Sequence, residues 1–593
     1  MNSVNGYGKV DPATEQQAPR KKKTCKWIIC IVVSAVLLGV IIGLVAGIVT
    51  HNNNKKKSDD SGDAPPGGEA PSSPAAAAAA VKALCSVTSH KDSCVSSLSQ
   101  VAGSGATDPK KLFAVSLKVA GDSLTKLSSR PSEWKTGVHD EGVKNAFSVC
   151  EDVFHDAVGR LDDSVTSADG GDDKKNLFSA STVADLKTWL SSSITDQETC
   201  LDALDEIKAN ASIVGKVKSA MKDSAEFSSN SLAIVTHILS ILGDFKIPIH
   251  RKLLTQKKQS TGGFPEWVRP TERRLLRDDK PTPDVIVDQN GSPGSVPTIG
   301  EAVKMVPEKN KTRFVIYVKA GEYVEKVELD KTKWNVMMYG DGKNQTVISG
   351  SANFIDGTPT FHTATFVVAG RGFMARDITF KNTAGPEKHQ AVAMRSGSDK
   401  SVFYRCGFDA FQDTLYAHSN RQFYRECDII GTIDFIFGNA AVVFQNCRIQ
   451  PRQPLPNQFN TITAQGKKDP NENTGISIQK CQISPYDNVT AATYLGRPWK
   501  NCSTTVIMQS NIGAVVSPKG WIEWIQGVEP PSTIDYGEYM NTGPGAELSQ
   551  RVKWAGYQPN LSPAQASKYT VGSFLEVKES AWLPVELDHD TSL

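Results

Sequence analysis

Asp413 and Asp434 lie 21 residues apart, and Gln390 precedes Gln412 by 22. If the chain returns to one place at that interval, two carboxylates meet without being neighbours in sequence. Like charges repel, so one is pushed towards protonation at a pH where the other stays ionised. That division sets a proton donor beside a nucleophile. Asp434 sits in the apolar run Ile433-Asp434-Phe435-Ile436-Phe437-Gly438, where an unpaired carboxylate is costly. Arg497, in Leu495-Gly496-Arg497-Pro498-Trp499, offers a planar guanidinium fork to hold the ionised member. Trp499 offers an apolar face of the kind that receives a sugar ring, although core packing is the commoner fate of a tryptophan. The plainer alternative is a buried acid pair that shares one proton for stability alone, in a column of polar residues that merely satisfies a scaffold.

For these residues to converge, the chain must coil. From Asp284 onward it breaks into short β-rich runs at 314–318, 336–339, 365–368, 378–380, 401–404, 422–424, 442–444, 461–463 and 476–478, punctuated by Gly and Asn. Long helices do not alternate with them, which disfavours a doubly wound sheet. Phe403-Tyr404-Arg405-Cys406, Phe423-Tyr424-Arg425-Glu426-Cys427, Phe444-Gln445-Asn446-Cys447 and Ile478-Gln479-Lys480-Cys481 each end an extended run in cysteine, the first three cysteines separated by 21 and 20 residues. A β-rich repeat of that period predicts a parallel β-helix, with equivalent residues stacked about 4.8 Å apart.

The rest of the 593 residues must do something else. The 66 basic and 64 acidic residues nearly cancel, so no field of one sign recruits nucleic acid. Hydrophobic residues at 39% exclude a mostly disordered chain. Residues 81–243 carry apolar side chains three and four apart (Leu186, Trp189, Leu190; Leu201, Leu204, Ile207), which predicts several amphipathic helices in an antiparallel bundle. Cys85, Cys94, Cys150 and Cys200 fall here; four thiols permit three pairings, and with no histidine at finger spacing disulfides outweigh zinc. Residues 27–49 contain no charge, and 23 residues of helix span a ~30 Å hydrocarbon layer. That length exceeds the apolar core of a cleaved signal and predicts an uncleaved signal anchor, its basic N-terminal flank holding residues 1–26 in the cytoplasm. Nine of the eleven cysteines follow it, in a compartment that permits disulfides. Residues 50–80 read as a linker, with folding resuming near Val81. Residues 244–283 form a second tether, where Arg251-Lys252-Leu253-Leu254 and Arg273-Arg274-Leu275-Leu276 stand open to proteolytic nicking.

Five segments, Gly321-Glu322-Tyr323-Val324-Glu325, Gln390-Ala391-Val392-Ala393, Gln412-Asp413-Thr414-Leu415, Asp434-Phe435-Ile436-Phe437-Gly438 and Leu495-Gly496-Arg497-Pro498-Trp499, follow in an order by which residues 284–593 resemble a plant pectin methylesterase made with an inhibitor-like pro-region. The resemblance implies a right-handed parallel β-helix that hydrolyses the methyl esters of galacturonate units in pectin, without a metal or an organic cofactor. It implies Asp434 as nucleophile and Asp413 as the acid that protonates methanol and then the base that activates water. Gln412 and Gln390 would donate to the oxyanion and Arg497 would orient Asp434. Thr360, Gln390, Arg497 and Trp499 would contact the polymer.

Residues 81–243 resemble the pectin methylesterase inhibitor domain, a four-helix bundle, which implies bridges Cys85–Cys94 and Cys150–Cys200. In the catalytic part Cys427–Cys447 is the expected bridge because the two sit one coil apart, with Cys406 and Cys481 continuing the column and Cys502 unpaired. The basic Leu-Leu motifs imply a subtilisin-like processing protease. The expected course is a membrane-anchored precursor silenced by its pro-region, cleaved after Leu276 with Leu254 as a second site, and secreted to the cell wall as a monomeric catalytic domain. Separate pectin methylesterase inhibitor proteins are further expected partners. Sequons at Asn210, Asn290, Asn310, Asn344, Asn488, Asn501 and Asn560 fit that route.

Two rivals remain. A pectin-active glycosidase or lyase would share the architecture, since paired aspartates also serve glycosidic cleavage. A binding protein with a scaffold β-helix would instead use its helical half to dock other esterases. The Gln412–Leu415 and Leu495–Trp499 segments favour the esterase, and the intact carboxylates and glutamines count against a scaffold.

Overall fold

The computed structural model describes residues 74–101, 107–168, 179–244, 281–575, 590 and 592–593. The expected membrane anchor, Cys25, Cys30 and both basic Leu-Leu motifs lie outside the described residues. Among the described residues no helix is long and apolar enough to cross a membrane.

Seven helices come first: α1 (Pro74–Cys85), α2 (Lys91–Val101), α3 (Pro109–Ser128), α4 (Arg130–Lys135), α5 (Glu141–Ala168), α6 (Ala180–Glu206) and α7 (Ala211–Asp244). The linker expected up to residue 80 is corrected by α1. It opens on Pro74, a good first helical residue, and runs through six alanines, the strongest helix formers. Ala77 and Ala80 are small enough to bury there. In α3, Asp108 caps the helix by accepting from Lys110 N at 2.9 Å. Its Leu112, Phe113, Leu117, Ala120, Leu124 and Leu127 form one buried face. That face packs with Phe147, Val153, Phe154 and Leu161 of α5 in a shared core. Disulfides join Cys85 to Cys94 and Cys150 to Cys200, the second tying α5 to α6. α6 departs from the pattern, because Thr188, Ser191, Ser192, Thr195, Asp196 and Thr199 on it are buried although polar. A polar face that is not solvated must be covered by another surface.

That surface is β. From residue 285 the chain winds through three sheets of twelve, eight and seven strands, all pairing in parallel. Each run expected from the sequence falls on one of these strands. Register is strict: Phe403, Tyr424 and Phe444 sit opposite one another on successive coils, and their rings stack at 4.6 and 4.7 Å. The corner that follows is turned each time by a residue in the left-handed region: Arg405, Glu426, Asn446 and Lys480, with φ between +52° and +55°.

The expected Cys427–Cys447 bridge is corrected. Cys406, Cys427, Cys447 and Cys481 form a buried column of free thiols. Cys427 Sγ donates to Phe403 O at 3.3 Å and Cys447 Sγ to Tyr424 O at 3.5 Å, each reaching the coil before its own. The reason is geometric. Arg425 pairs with Gln445 and Asp428 with Arg448, so Cys427 stands directly beside Cys447 with parallel side chains about 4.8 Å apart, whereas a disulfide needs Cβ atoms about 3.5–4.5 Å apart. Cys502 is also free. Alkylation of the denatured, unreduced protein is expected to label Cys406, Cys427, Cys447, Cys481 and Cys502; peptides of Cys427 and Cys447 that react only after reduction would show the bridge exists.

Candidate active site

The outer face of the seven-stranded sheet carries an in-register ladder: Val367, Arg395, Tyr416, Phe437, Ala464 and Arg497, one residue per coil. Just ahead of two of these strands lie the aspartates. Leu415 pairs with Ile436, Asp413 N donates to Ile433 O at 3.0 Å and Leu415 N donates to Phe435 O at 2.9 Å, so Asp413 is level with Asp434. Both take the left-handed conformation, φ +64° and +51°, and matching backbones at matching positions aim both side chains the same way. Gln390 bridges Gln412 in parallel on the preceding coil. The intervals explain themselves: Gln390 pairs 22 residues on and Met394 only 21 residues on, so one extra residue is accommodated between them. An inserted residue of this kind re-aims neighbouring side chains, as a β-bulge does. All four side chains are buried.

Asp434 is held on three sides. Arg497 Nε donates to its Oδ1 at 2.9 Å and Nη2 to its Oδ2 at 2.6 Å, a two-pronged pair, and Thr461 Oγ1 donates to Oδ1 at 2.6 Å. Arg497 in turn lies 4.3 Å from the Trp524 ring centre, and Trp524 stacks on Trp499 at 6.3 Å. Close packing explains the flanking glycines. At Gly496 a Cβ would come within 1.9 Å of Thr463 Oγ1, and at Gly438, φ +121°, within 2.1 Å of Ala417 O.

Asp413, Asp434, Gln390, Gln412, Arg497 and Trp499 therefore gather along one side of one sheet. Thr360 stands at its edge. Tyr416 and Phe437, stacked at 4.1 Å, complete the floor and were not singled out from the sequence. Each follows its aspartate by three residues, an aromatic echo of the 21-residue interval that was there to find. Trp524 carried no such signal. Two carboxyl groups side by side can supply a nucleophile for a carbonyl carbon and a proton for the group that leaves it.

Helix α6 lies over this floor. Thr360 N donates to Glu206 Oε2 at 3.2 Å, and its hydroxyl bonds the same carboxylate. Thr199 Oγ1 is 3.0 Å from His418 Nε2, Lys500 pairs with Asp202, and Asn439 Nδ2 donates to Thr195 Oγ1 at 2.8 Å. The gap left between Asp202, Glu206, Thr360, Tyr416, Phe437 and Trp499 has a volume of about 30 Å³. That holds one water, not a sugar.

A family model described as Pectinesterase matches residues 284–578, and one described as Plant invertase/pectin methylesterase inhibitor matches residues 79–234. Pectinesterase 1 of Arabidopsis thaliana is 57% identical over 513 residues, covering 85% of this chain and 86% of its own. Pectinesterase 3 of Phaseolus vulgaris is 55% identical over 590 residues, covering 98% of each. A solved pectin methylesterase from carrot is 49% identical with a TM-score of 0.51, and 53% of this chain covers all of it. A parallel β-helix with paired acids on one sheet is thus the frame of a carboxylic ester hydrolase. The chain belongs to the pectinesterase family and is a pectin methylesterase with an inhibitor-like helical region ahead of its esterase part.

Burial pushes Glu206 up to about 7 from 4.5, against the Thr360 donors that favour its charge. Burial raises Asp202 and Asp196 and takes Glu472 up to about 7. Carboxyls that hold protons more tightly in the closed state strengthen closure at low pH. For Glu206 that contribution is full below pH 4.5 and is lost as the pH rises through about 7. His418, pushed well down by burial, acts in the opposite sense below its ordinary value of 6.5, but the carboxyls outnumber it. Amide exchange in residues 195–206, corrected for the intrinsic base-catalysed rate, is expected to quicken from pH 4.5 to 7.5, and Glu206→Gln to flatten that rise. An equally steep rise in the variant would remove Glu206 from the account.

Proposed function

We propose that Asp434 attacks the methyl-ester carbonyl of galacturonate in pectin and that Asp413 supplies and then recovers the proton. Asp434 Oδ forms a bond to the carbonyl carbon, and the carbonyl electron pair moves onto oxygen as an oxyanion facing the amides of Gln412 and Gln390. Collapse expels the methoxy group, which takes the Asp413 proton and leaves as methanol. The acyl-enzyme is then attacked by water, whose proton returns to Asp413 while Asp434 departs as a carboxylate. The sum is ester plus water to galacturonic acid plus methanol. Arg497 orients Asp434, and Thr360 and Trp499 contact the polymer. The observation that carries this reading is the two-pronged Arg497–Asp434 pair one coil from Asp413.

We further infer that the helical region, as a four-helix bundle on a right-handed β-helix, silences the enzyme by placing α6 where pectin would lie. A subtilisin-like protease cutting within residues 244–283, at Leu276 with Leu254 as a second site, would release it. Residues 27–49 would anchor the precursor in the secretory membrane, and the processed enzyme would act in the cell wall. Six of the seven sequon asparagines are exposed and Asn310 partly so, which supports glycosylation along that route.

Asp434→Asn is expected to abolish methanol release from pectin with the β-sheet circular dichroism unchanged; near-normal turnover would refute the nucleophile. Gln412→Ala is expected to lower kcat about 10²-fold, the scale of one lost oxyanion donor, whereas a change confined to KM would make it a ground-state contact. Methanol without new reducing ends separates the esterase from a glycosidase or lyase.

A further inference from the structure

Glu198, Asp202 and Glu206 lie four residues apart on α6, on one helix face at intervals of about 6 Å. Each meets a different group of the cleft. Glu198 accepts from Lys468 Nζ at 2.6 Å, Asp202 pairs with Lys500, and Glu206 accepts from Thr360. Lys500 Nζ also lies 5.2 Å from the Trp499 ring centre, so a cation and an aromatic face are presented together. Burial opposes the charge of Lys500, but Asp202, Glu198 and Asp205 outweigh it and raise its affinity for the proton. These lysines differ from Arg421, which α6 also touches through Asp185 but which Asp399 of the β part already holds. Among the described residues, neither Lys468 nor Lys500 forms an ion pair with a carboxylate of the β part.

A rod with carboxylates projecting at regular intervals is also what the product is. Each hydrolysed ester leaves a free carboxylate on a stiff polymer of sugar rings. We propose that Lys500 and Lys468 are specificity-determining residues that bind free galacturonate carboxylates beside the ester under attack, and that Asp202 and Glu198 occupy their places in the closed precursor. The inference rests on the esterase reading of the cleft. It gives the enzyme a preference for esters next to units already hydrolysed, because each turnover creates the group these lysines hold.

The solved carrot relative is matched over its full length by 53% of this chain, the share that the β part, residues 281–593, makes up, so that part serves for the test. Two oligogalacturonides of equal length are compared by methanol release, one fully methylated and one with free acids flanking a single ester. Lys500→Gln and Lys468→Gln are each expected to lower the ratio of kcat/KM, free-acid-flanked over fully methylated, about tenfold through KM, the scale of one charge-assisted hydrogen bond. Lys500→Arg is expected to restore most of it. Calorimetry with an unesterified oligogalacturonide is expected to show Kd raised about tenfold by Lys500→Gln, whether or not the enzyme turns over. An unchanged ratio, an equal fall on both oligomers, or an unchanged Kd would overturn the proposal. Loss of methanol release by the unsubstituted β part, with the Kd difference intact, would instead count against the esterase mechanism.

Discussion

Parallel strands stacked in register hold each residue of one coil about 4.8 Å from its counterpart in the next, and the rest of the β part obeys that constraint. Like stacks on like. The Phe403, Tyr424 and Phe444 rings gain from it. The thiols of Cys406 to Cys481 stay free rather than forming disulfides, and those of Cys427 and Cys447 bond backbone carbonyls of the preceding coil. The same rule puts Asp413 beside Asp434, where stacking is unfavourable, and the structure answers with a cation. Two coils beyond Asp434 by pairing, the strand holding Arg497 faces the strand that holds Thr461, and both side chains converge on Asp434. The symmetry of the repeat is thereby broken. One acid is bonded by a guanidinium and a threonine hydroxyl, and its neighbour stands level with it one coil away.

Helix α6 exploits the same ladder from outside. Phe361, Tyr416, Phe437 and Ala464 of the cleft belong to the apolar core of the helical region, so burial of aromatic surface supplies the attraction. The ion pairs that accompany it are poor evidence for net stability, since desolvation offsets much of their Coulomb energy. Their role is register: Glu198, Asp202 and Glu206 fix which turn of α6 lies over which coil. The raised proton affinities of Glu206, Asp202 and Asp196 mark the desolvation that closure imposes on these acids.

Much of this was legible in the sequence, for a physical reason. The β-rich runs punctuated by Gly and Asn and the 20- to 21-residue cysteine interval report strand and coil directly, and Asp413 and Asp434 inherit their juxtaposition from the same interval. What local pattern does not report is how one surface meets another. The alanines at 75–80 lack side chains that announce a core, yet Ala77 and Ala80 are buried. The serines and threonines of α6 carry no local sign of a partner, yet Ser191, Ser192, Thr195 and Thr199 are buried on the face that covers the cleft. Cys427 and Cys447 were rightly placed one coil apart, but spacing along the chain says nothing of the shorter approach a disulfide requires.

The arrangement of the acids also bears on which bond is broken. In a glycosidase the two carboxyl groups flank the glycosidic bond, one on each side of the sugar. Here Asp413 and Asp434 project together from one edge of one sheet, with aromatic rings stacked beside them. An ester places its electrophilic carbon and its leaving oxygen one bond apart, so a nucleophile and a proton donor that stand side by side reach both. The coil spacing that brings the acids together thus suits acyl transfer, the reaction of the family to which the chain belongs.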